Sequence, residues 1–361
     1  LRATTASDNI GVGRSAGYNI TTGSENVAVG RNALSASTTA SGNTALGYQA
    51  LENTTTGHSN VAVGKDALKA NTTASYNHAF GRGALIANTT GEVNIAIGNC
   101  LGANTTGGSN IGIGSNALDA NTTAANNLAV GRAALNDNTT GTQNVAIGNY
   151  TLELNVTGGY NVGMGYKALA ANTASDNTAV GWTAMELNTS GTENAAFGYD
   201  ALTTNTTGSA NTAVGWRALQ SCTTGASNVG IGKDAGKSIT TGQQNILIGQ
   251  QAGDSITTSH YNVAVGHDAL SSCTTGSHNV IMGRLAGYDI TTGTEHVAIG
   301  FEALANATDG HSNVAIGRAA GEDITTGGNN VCLGLNAGRS SSPSGSLATH
   351  NHRVCMGNND I

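Results

Sequence analysis

The sequence predicts an all-β fold, a parallel β-solenoid (β-roll) of about 17-residue coils, and three observations carry that reading. The block Asn-x-Ala-x-Gly recurs at near-constant spacing over almost the whole chain. Within each block large and small side chains alternate, the period of a strand. Glycine closes every block at one fixed place, which makes it a geometric requirement of the coil and not the mark of a flexible linker. Copies begin at 9, 26, 43 and 60 and continue at this spacing to 330, and Arg353-Val354-Cys355-Met356-Gly357 is a degenerate last one. A short unit repeated this often stacks on its own copies, so the chain is expected to be a structural or adhesive rod.

Residues 1–8 read as a partial first coil. Counting each coil from the first residue of its block, position two is mostly Val or Ile but accepts Thr44, Thr178, Thr212 and His78. Position three is small, and position four is large and apolar from Val12 to Met356. Positions two and four therefore share one face of a strand and position three takes the other. The large residues are expected to fill the coil, and the small face at positions three and eight is expected to meet partner chains. Glycine at position five requires positive φ or a close backbone approach, so the strand turns there. A second short strand or bend is expected at positions eight and nine, and Thr-Thr-Gly makes the return turn. Residues 339–352 break the period and carry the single proline, Pro343. The chain thus divides into a repeat shaft, 1–338, and an irregular C-terminal cap or exit segment, 339–361.

Positions nine and twelve vary together. Leu68 is followed by Asn71 and Leu219 by Cys222, whereas Gly17, Gly236, Gly253, Gly287 and Gly321 are followed by Ile20, Ile239, Ile256, Ile290 and Ile324. Gly102 with Asn104, in a coil one residue short, departs from this rule. Leu and Ile are read as filling one cavity from opposite sides, since a core conserves its volume. Asn at position twelve is expected to bond along the stack as a ladder.

Composition narrows the function. A net charge of −7 over 361 residues gives no electrostatic grip on nucleic acid. No apolar run reaches the ~18–20 residues of a membrane span, and no leader opens the sequence; no membrane insertion is expected. The five cysteines are widely spaced and odd in number, which speaks against a disulfide framework. Cys222 and Cys273 share a coil position three coils apart, roughly 14 Å, too far to bond. No recurring carboxylate pair and no Ser/His/Asp arrangement is present, so no enzyme and no cofactor are expected. The apolar burial of one coil falls short of the entropy of ordering it, so self-association, as a homotrimer, is expected.

The block Asn-(Val/Ile/Thr)-Ala-(Val/Ile)-Gly resembles the head repeats of trimeric autotransporter adhesins of the YadA type. The longer unit Asn43-Thr44-Ala45-Leu46-Gly47-Tyr48-Gln49-Ala50-Leu51 with its Thr-Thr-Gly turn is similar to repeats of phage tail-fibre-like proteins. The ending Val354-Cys355-Met356-Gly357-Asn358-Asn359-Asp360-Ile361 resembles the segment that precedes an endosialidase-type intramolecular chaperone. The resemblance implies a trimeric fibre on a virion, a phage tail fibre contacting the host surface and other virion or fibre proteins. A bacterial cell-surface adhesin head is the second reading and an ice-binding protein the third; a β-helical polysaccharide lyase has longer, less uniform coils. A chaperone domain beyond Ile361 would favour the phage reading, and a membrane anchor the adhesin.

Two places depart from the repeat. At position six Tyr166, Trp182, Tyr199 and Trp216 follow one another on successive coils, a stripe that could stack against host surface glycan; the plainer reading is rings packed between chains or over the glycine turn. His350 and His352 would face one side of an extended strand, and three chains would bring six imidazoles together, a geometry suited to a transition metal; no metal site is assigned. The Thr-Thr pairs sit in a turn and read as a solvated edge, not an ice-binding plane.

Overall fold

A computed structural model describes residues 6–342 and 345–357. Pro343, most of the partial first coil (1–5) and the ending 358–361 lie outside the described residues. The described chain is a parallel β-solenoid without helix, in two compact units, 1–177 and 178–361. The first holds strands β1 (Ile10–Val12) to β10 (Val162–Met164), the second β11 (Thr178–Val180) to β21 (Val354–Met356). Every strand is three residues long, positions two to four, and within each unit neighbouring strands pair in parallel at the same coil positions, as in Val61↔His78, Ala62↔Ala79 and Val63↔Phe80.

The strand faces are opposite to the sequence expectation. Position three points inward and has no exposed surface at Ala28, Ala62, Ala146 or Ala298. Position four points outward, and Leu46, Phe80, Ile97, Met282 and Ile316 are all exposed. Interior thickness explains the reversal. A methyl group at Gly112 would lie 3.2 Å from the Leu101 side chain, and one at Gly230 only 2.8 Å from Leu219. One position-nine Leu spans the space to the strand opposite, so only Ala or Gly fits beneath it. The interior comprises mostly small residues at positions three and eight, asparagine, and one large aliphatic group in most coils; Leu247 and Ile281 add a second at position three where position nine is Gly253 or Gly287.

The glycine at position five meets both demands placed on it. From Gly13 to Gly334 its φ runs from +104° at Gly334 to +145° at Gly47 and Gly181, and a side chain at Gly30, Gly64 or Gly131 would strike the backbone carbonyl of the next coil. Positions eight and nine form a turn instead of a second strand. The position-eight N–H closes back on the position-five carbonyl, as from Ala33 to Gly30 (3.3 Å), and position nine is left-handed. Leu68 and Leu219 sit at φ +50°. That conformation costs a β-carbon residue about 1–2 kcal/mol, while burying leucine contributes about 1.5–3 kcal/mol; burial wins.

Where position nine is Gly, the Ile at position twelve takes the vacated volume. A methyl group at Gly287 would lie 2.8 Å from Ile290 Cδ1, and one at Gly253 the same distance from Ile256 Cδ1. Both fillers are fully buried, which supports the shared cavity. The exception also dissolves. Leu85 N–H donates to the Cys100 carbonyl and Leu101 N–H to that of Ala117, the bonds of positions eight and nine. The missing residue therefore falls in the preceding turn, and Leu101 with Asn104 obeys the rule. Leu270→Gly should cost about 3 kcal/mol, and adding Cys273→Ile should recover most of it. Leu68→Gly with Asn71→Ile should recover less, because Asn71 also bonds Thr54 Oγ1 and the Ala74 carbonyl. Thermal melts showing no recovery in either double variant would refute the shared cavity.

Two asparagine ladders run inside the coil. The expected one at position twelve joins Asn88, Asn104, Asn121, Asn138 and Asn155, each Nδ2 donating to the preceding Oδ1 and to its own turn carbonyl. Cys222 keeps only the turn bond, Sγ to the Gly225 carbonyl at 3.5 Å, so Asn205 Oδ1 is left without a donor. The second ladder, at position one, is buried from Asn26 onward. The Asn43 N–H and Nδ2 both donate to Asn26 Oδ1 (3.0 and 3.2 Å), and Nδ2 also donates to the Gly57 carbonyl (2.9 Å). These bonds satisfy the backbone where each strand begins inside the coil.

The departure at the C-terminal end is narrower than residues 339–352. Leu347 is buried beside Gly338 as the position-twelve filler. Thr325 N–H then donates to the Ala348 carbonyl, and Asn330 Nδ2 to that of His350. From Leu347 onward the chain follows the bonds of an ordinary coil, so the extra residues lie between Gly338 and Leu347.

Candidate functional site

Three surfaces carry side chains that could meet another molecule. The first is the outer strand face. Adjacent coils cover the flanks of each position-four side chain, and the part facing away stays exposed: 41% at Phe80, Phe197 and Ile316, 43% at Ile97. With position two beside it, each unit presents a continuous apolar face running along its stacked strands. Exposed contiguous apolar area of this kind marks an interaction surface.

The second is the position-six column. Tyr166 belongs to the first unit; Trp182, Tyr199 and Trp216 belong to the second, and the last three are half exposed. Tyr199 and Trp216 are stacked, centroids 6.4 Å apart and planes 25° from parallel. The Arg217 guanidinium lies 3.8 Å from the Trp216 centroid, and Lys233 Nζ 5.2 Å from it. Arg217 is itself held by Asp234 at 2.8 Å. The Trp216 ring is thus occupied by neighbours from its own and the adjoining coils.

The third is the C-terminal segment. His350 ends a turn, and His352 has φ +57° immediately before Arg353. The two rings do not share the face of an extended strand, contrary to expectation. Among the described residues no cluster of three or more metal-ligating side chains occurs, and no helix is long and apolar enough to cross a membrane.

Sequence reading missed a pairing between coils. Position seven of one coil meets position ten of the next, a separation of 20: Gln49 with Lys69 (3.1 Å), Asp200 with Gln220 (3.2 Å), Asn32 with Glu52 (3.2 Å). The same neighbourhood gathers Asp234, Asp254 and Asp268, and burial first, then Asp268, raises the Asp254 carboxyl above its ordinary range. A spacing of one coil plus three residues was the available signal. The shortened coil leaves a surface cavity of about 490 Å³ lined by Asp66, Arg82, Gly83, Ile86, Asn99 and Gly102.

The cysteines at position twelve, Cys222 and Cys273, are free and buried, as is Cys100. Burial pushes the Cys222 thiol up to about 12 and that of Cys273 to about 11, so neither is a ready nucleophile. No protein-family model matches the chain, and neither a curated protein nor a solved structure is similar enough to count as a match.

Proposed function

We propose that the chain is a structural and adhesive fibre segment that assembles with two further copies of itself through the outer strand face. The observation that carries this is the apolar face of positions two and four. The small-residue face first assigned to partners is the interior and is not available to them. Rows of Val, Ile, Leu and Phe repeating with the coil can pack against neighbouring copies in step with their own coils, closing a ring of three around a threefold axis. Burial of these rows supplies the apolar area that the thin interior lacks. By its sequence resemblance such a fibre belongs on a phage tail, contacting the host surface, and that is the functional reading we adopt. Within the second unit Trp182, Tyr199 and Trp216 enter it as a secondary sugar-contacting stripe.

Sedimentation tests the assembly. The chain should run at three times its own mass, and Ile299→Lys with Ile316→Lys should lower that mass while the far-ultraviolet circular dichroism stays unchanged. A folded monomer from the unaltered chain would refute the proposal, and a trimer that ignores both lysines would move the interface elsewhere.

A further inference from the structure

The interior holds one pair of like, reactive residues. Cys332 and Cys355 occupy position three of the last two coils and are partners in the register of β20 (Val331–Leu333) and β21. Cys332 has no exposed surface and Cys355 only 5%, and the Cys355 thiol is near enough to act on that of Cys332. In-register neighbours on parallel strands stand about 4.8 Å apart, inside the Cα separation of about 4.4–6.8 Å that a disulfide spans. Cys222 and Cys273 lie three coils apart, and Cys100 belongs to the other unit. Position three takes the larger Cys332 because position nine of its coil is Gly338; a methyl group there would lie 2.8 Å from Cys332 Sγ.

We propose that Cys332 and Cys355 are a reversible dithiol–disulfide couple that clasps the last coil to the one before it, oxidised by exchange with a small-molecule disulfide. Cys355 borders a cavity of about 410 Å³ lined also by Ser346, Leu347, His350 and Arg353, so an incoming disulfide meets it first. The Cys355 thiolate attacks one sulfur of that disulfide, forming a mixed disulfide and releasing one thiolate. Cys332 then gives its proton to water and attacks the Cys355 sulfur, which releases the second small thiolate. Two cysteine thiols and one small disulfide become one protein disulfide and two small thiols, and no other oxidant is required. Burial pushes the Cys332 thiol up to about 12, so the second step is the slower one and quickens as pH rises. The ring encloses the one turn that is lengthened, between Gly338 and Leu347, and ties together the two coils that this turn joins.

Incubating the folded full chain with oxidised glutathione in mildly alkaline buffer tests this. The intact mass should fall by two hydrogens, the thiols counted after denaturation should drop from five by a pair, and digestion should yield a Cys332–Cys355 cross-linked peptide. Backbone amides of β21 should exchange about 100-fold more slowly once the ring is closed. Cys332→Ser should stop at a stable glutathione adduct on Cys355, and Cys355→Ser should lose no thiol. All five thiols persisting in the folded chain, a lasting glutathione adduct on the unaltered protein, or a cross-link through another cysteine would each overturn the proposal.

Discussion

Gly131→Ala should destabilise the first unit by more than about 3 kcal/mol. The new methyl group would stand 2.5 Å from the Gly148 carbonyl oxygen and 2.6 Å from its carbon, and φ there is +134°. Neither can relax locally, because the Gly148 carbonyl belongs to a coil fixed by its own stacked neighbours. Gly42→Ala is the matched comparison. Its φ is +66°, the nearest atom to a methyl would be 3.7 Å away, and the same coil position carries Glu25, Ser59 and Tyr76 in the left-handed region. That change should cost under about 1 kcal/mol. Denaturant midpoints of the two variants read the difference, and equal shifts would mean that the close approach at position five is not what reserves it for glycine.

Acid should weaken the second unit through one residue, His296. This histidine stands in the position-one ladder, fully buried, with Nε2 donating to the Gly310 carbonyl (2.8 Å) and Nδ1 accepting from the Asn313 N–H (3.3 Å). A second ring proton would turn Nδ1 toward another donor. Burial, with a smaller contribution from His311, lowers its pKa from 6.5 to about 4. Above the unfolded value both states are neutral and the coil has its full stability. Between 6.5 and about 4 the unfolded chain takes the proton and the folded one does not, so stability falls with pH at about 1.36 kcal/mol per unit, roughly 3 kcal/mol in all. His296→Asn restores the ordinary ladder residue and should remove this dependence, while the carboxylates titrate alike in both proteins. Melting temperatures of the pair should coincide most closely near neutrality and diverge as pH falls toward 4. Parallel curves would place the acid sensitivity elsewhere.

Much of the coil was legible because its constraints repeat. A glycine at position five in every copy could only mean unusual backbone geometry, and the exchange between Leu at nine and Ile at twelve revealed a shared volume in the linear pattern alone. Alternation located two strand faces but could not say which one was inside. Burying the larger side chains is the ordinary rule, and it fails here because Leu101 and Leu219 already reach the strand across the coil. Another clue pointed the right way: position two admits polar Thr44, Thr178 and His78, whereas position three departs from Ala or Gly only for apolar Leu247 and Ile281 and for Cys332 and Cys355. The variable column was the outer one. The buried asparagine at position one went unread as a hydrogen-bonding element, since invariance alone does not separate a ladder from a turn residue. Pairings at a separation of 20, and the meeting of Cys332 with Cys355 across a lengthened turn, depend on how coils stack, which the linear pattern leaves implicit.

The position-one ladder gives each stack a direction. Along it the side-chain oxygen accepts from the coil that follows, while the backbone N–H and in most coils Nδ2 donate to the coil that precedes, as Asn211 does with Asn194 and Asn228 with Asn211. Aligned amides of this kind add their dipoles along the stack, as peptide groups do in a helix. The two ends of a run of coils are therefore chemically unlike: one lacks an acceptor for its leading amide, and the other offers a carbonyl oxygen awaiting a donor. A coil gained or lost by recombination within the gene meets neighbours of the right polarity on both sides, so such a stack can change length in whole coils without redesigning any joint.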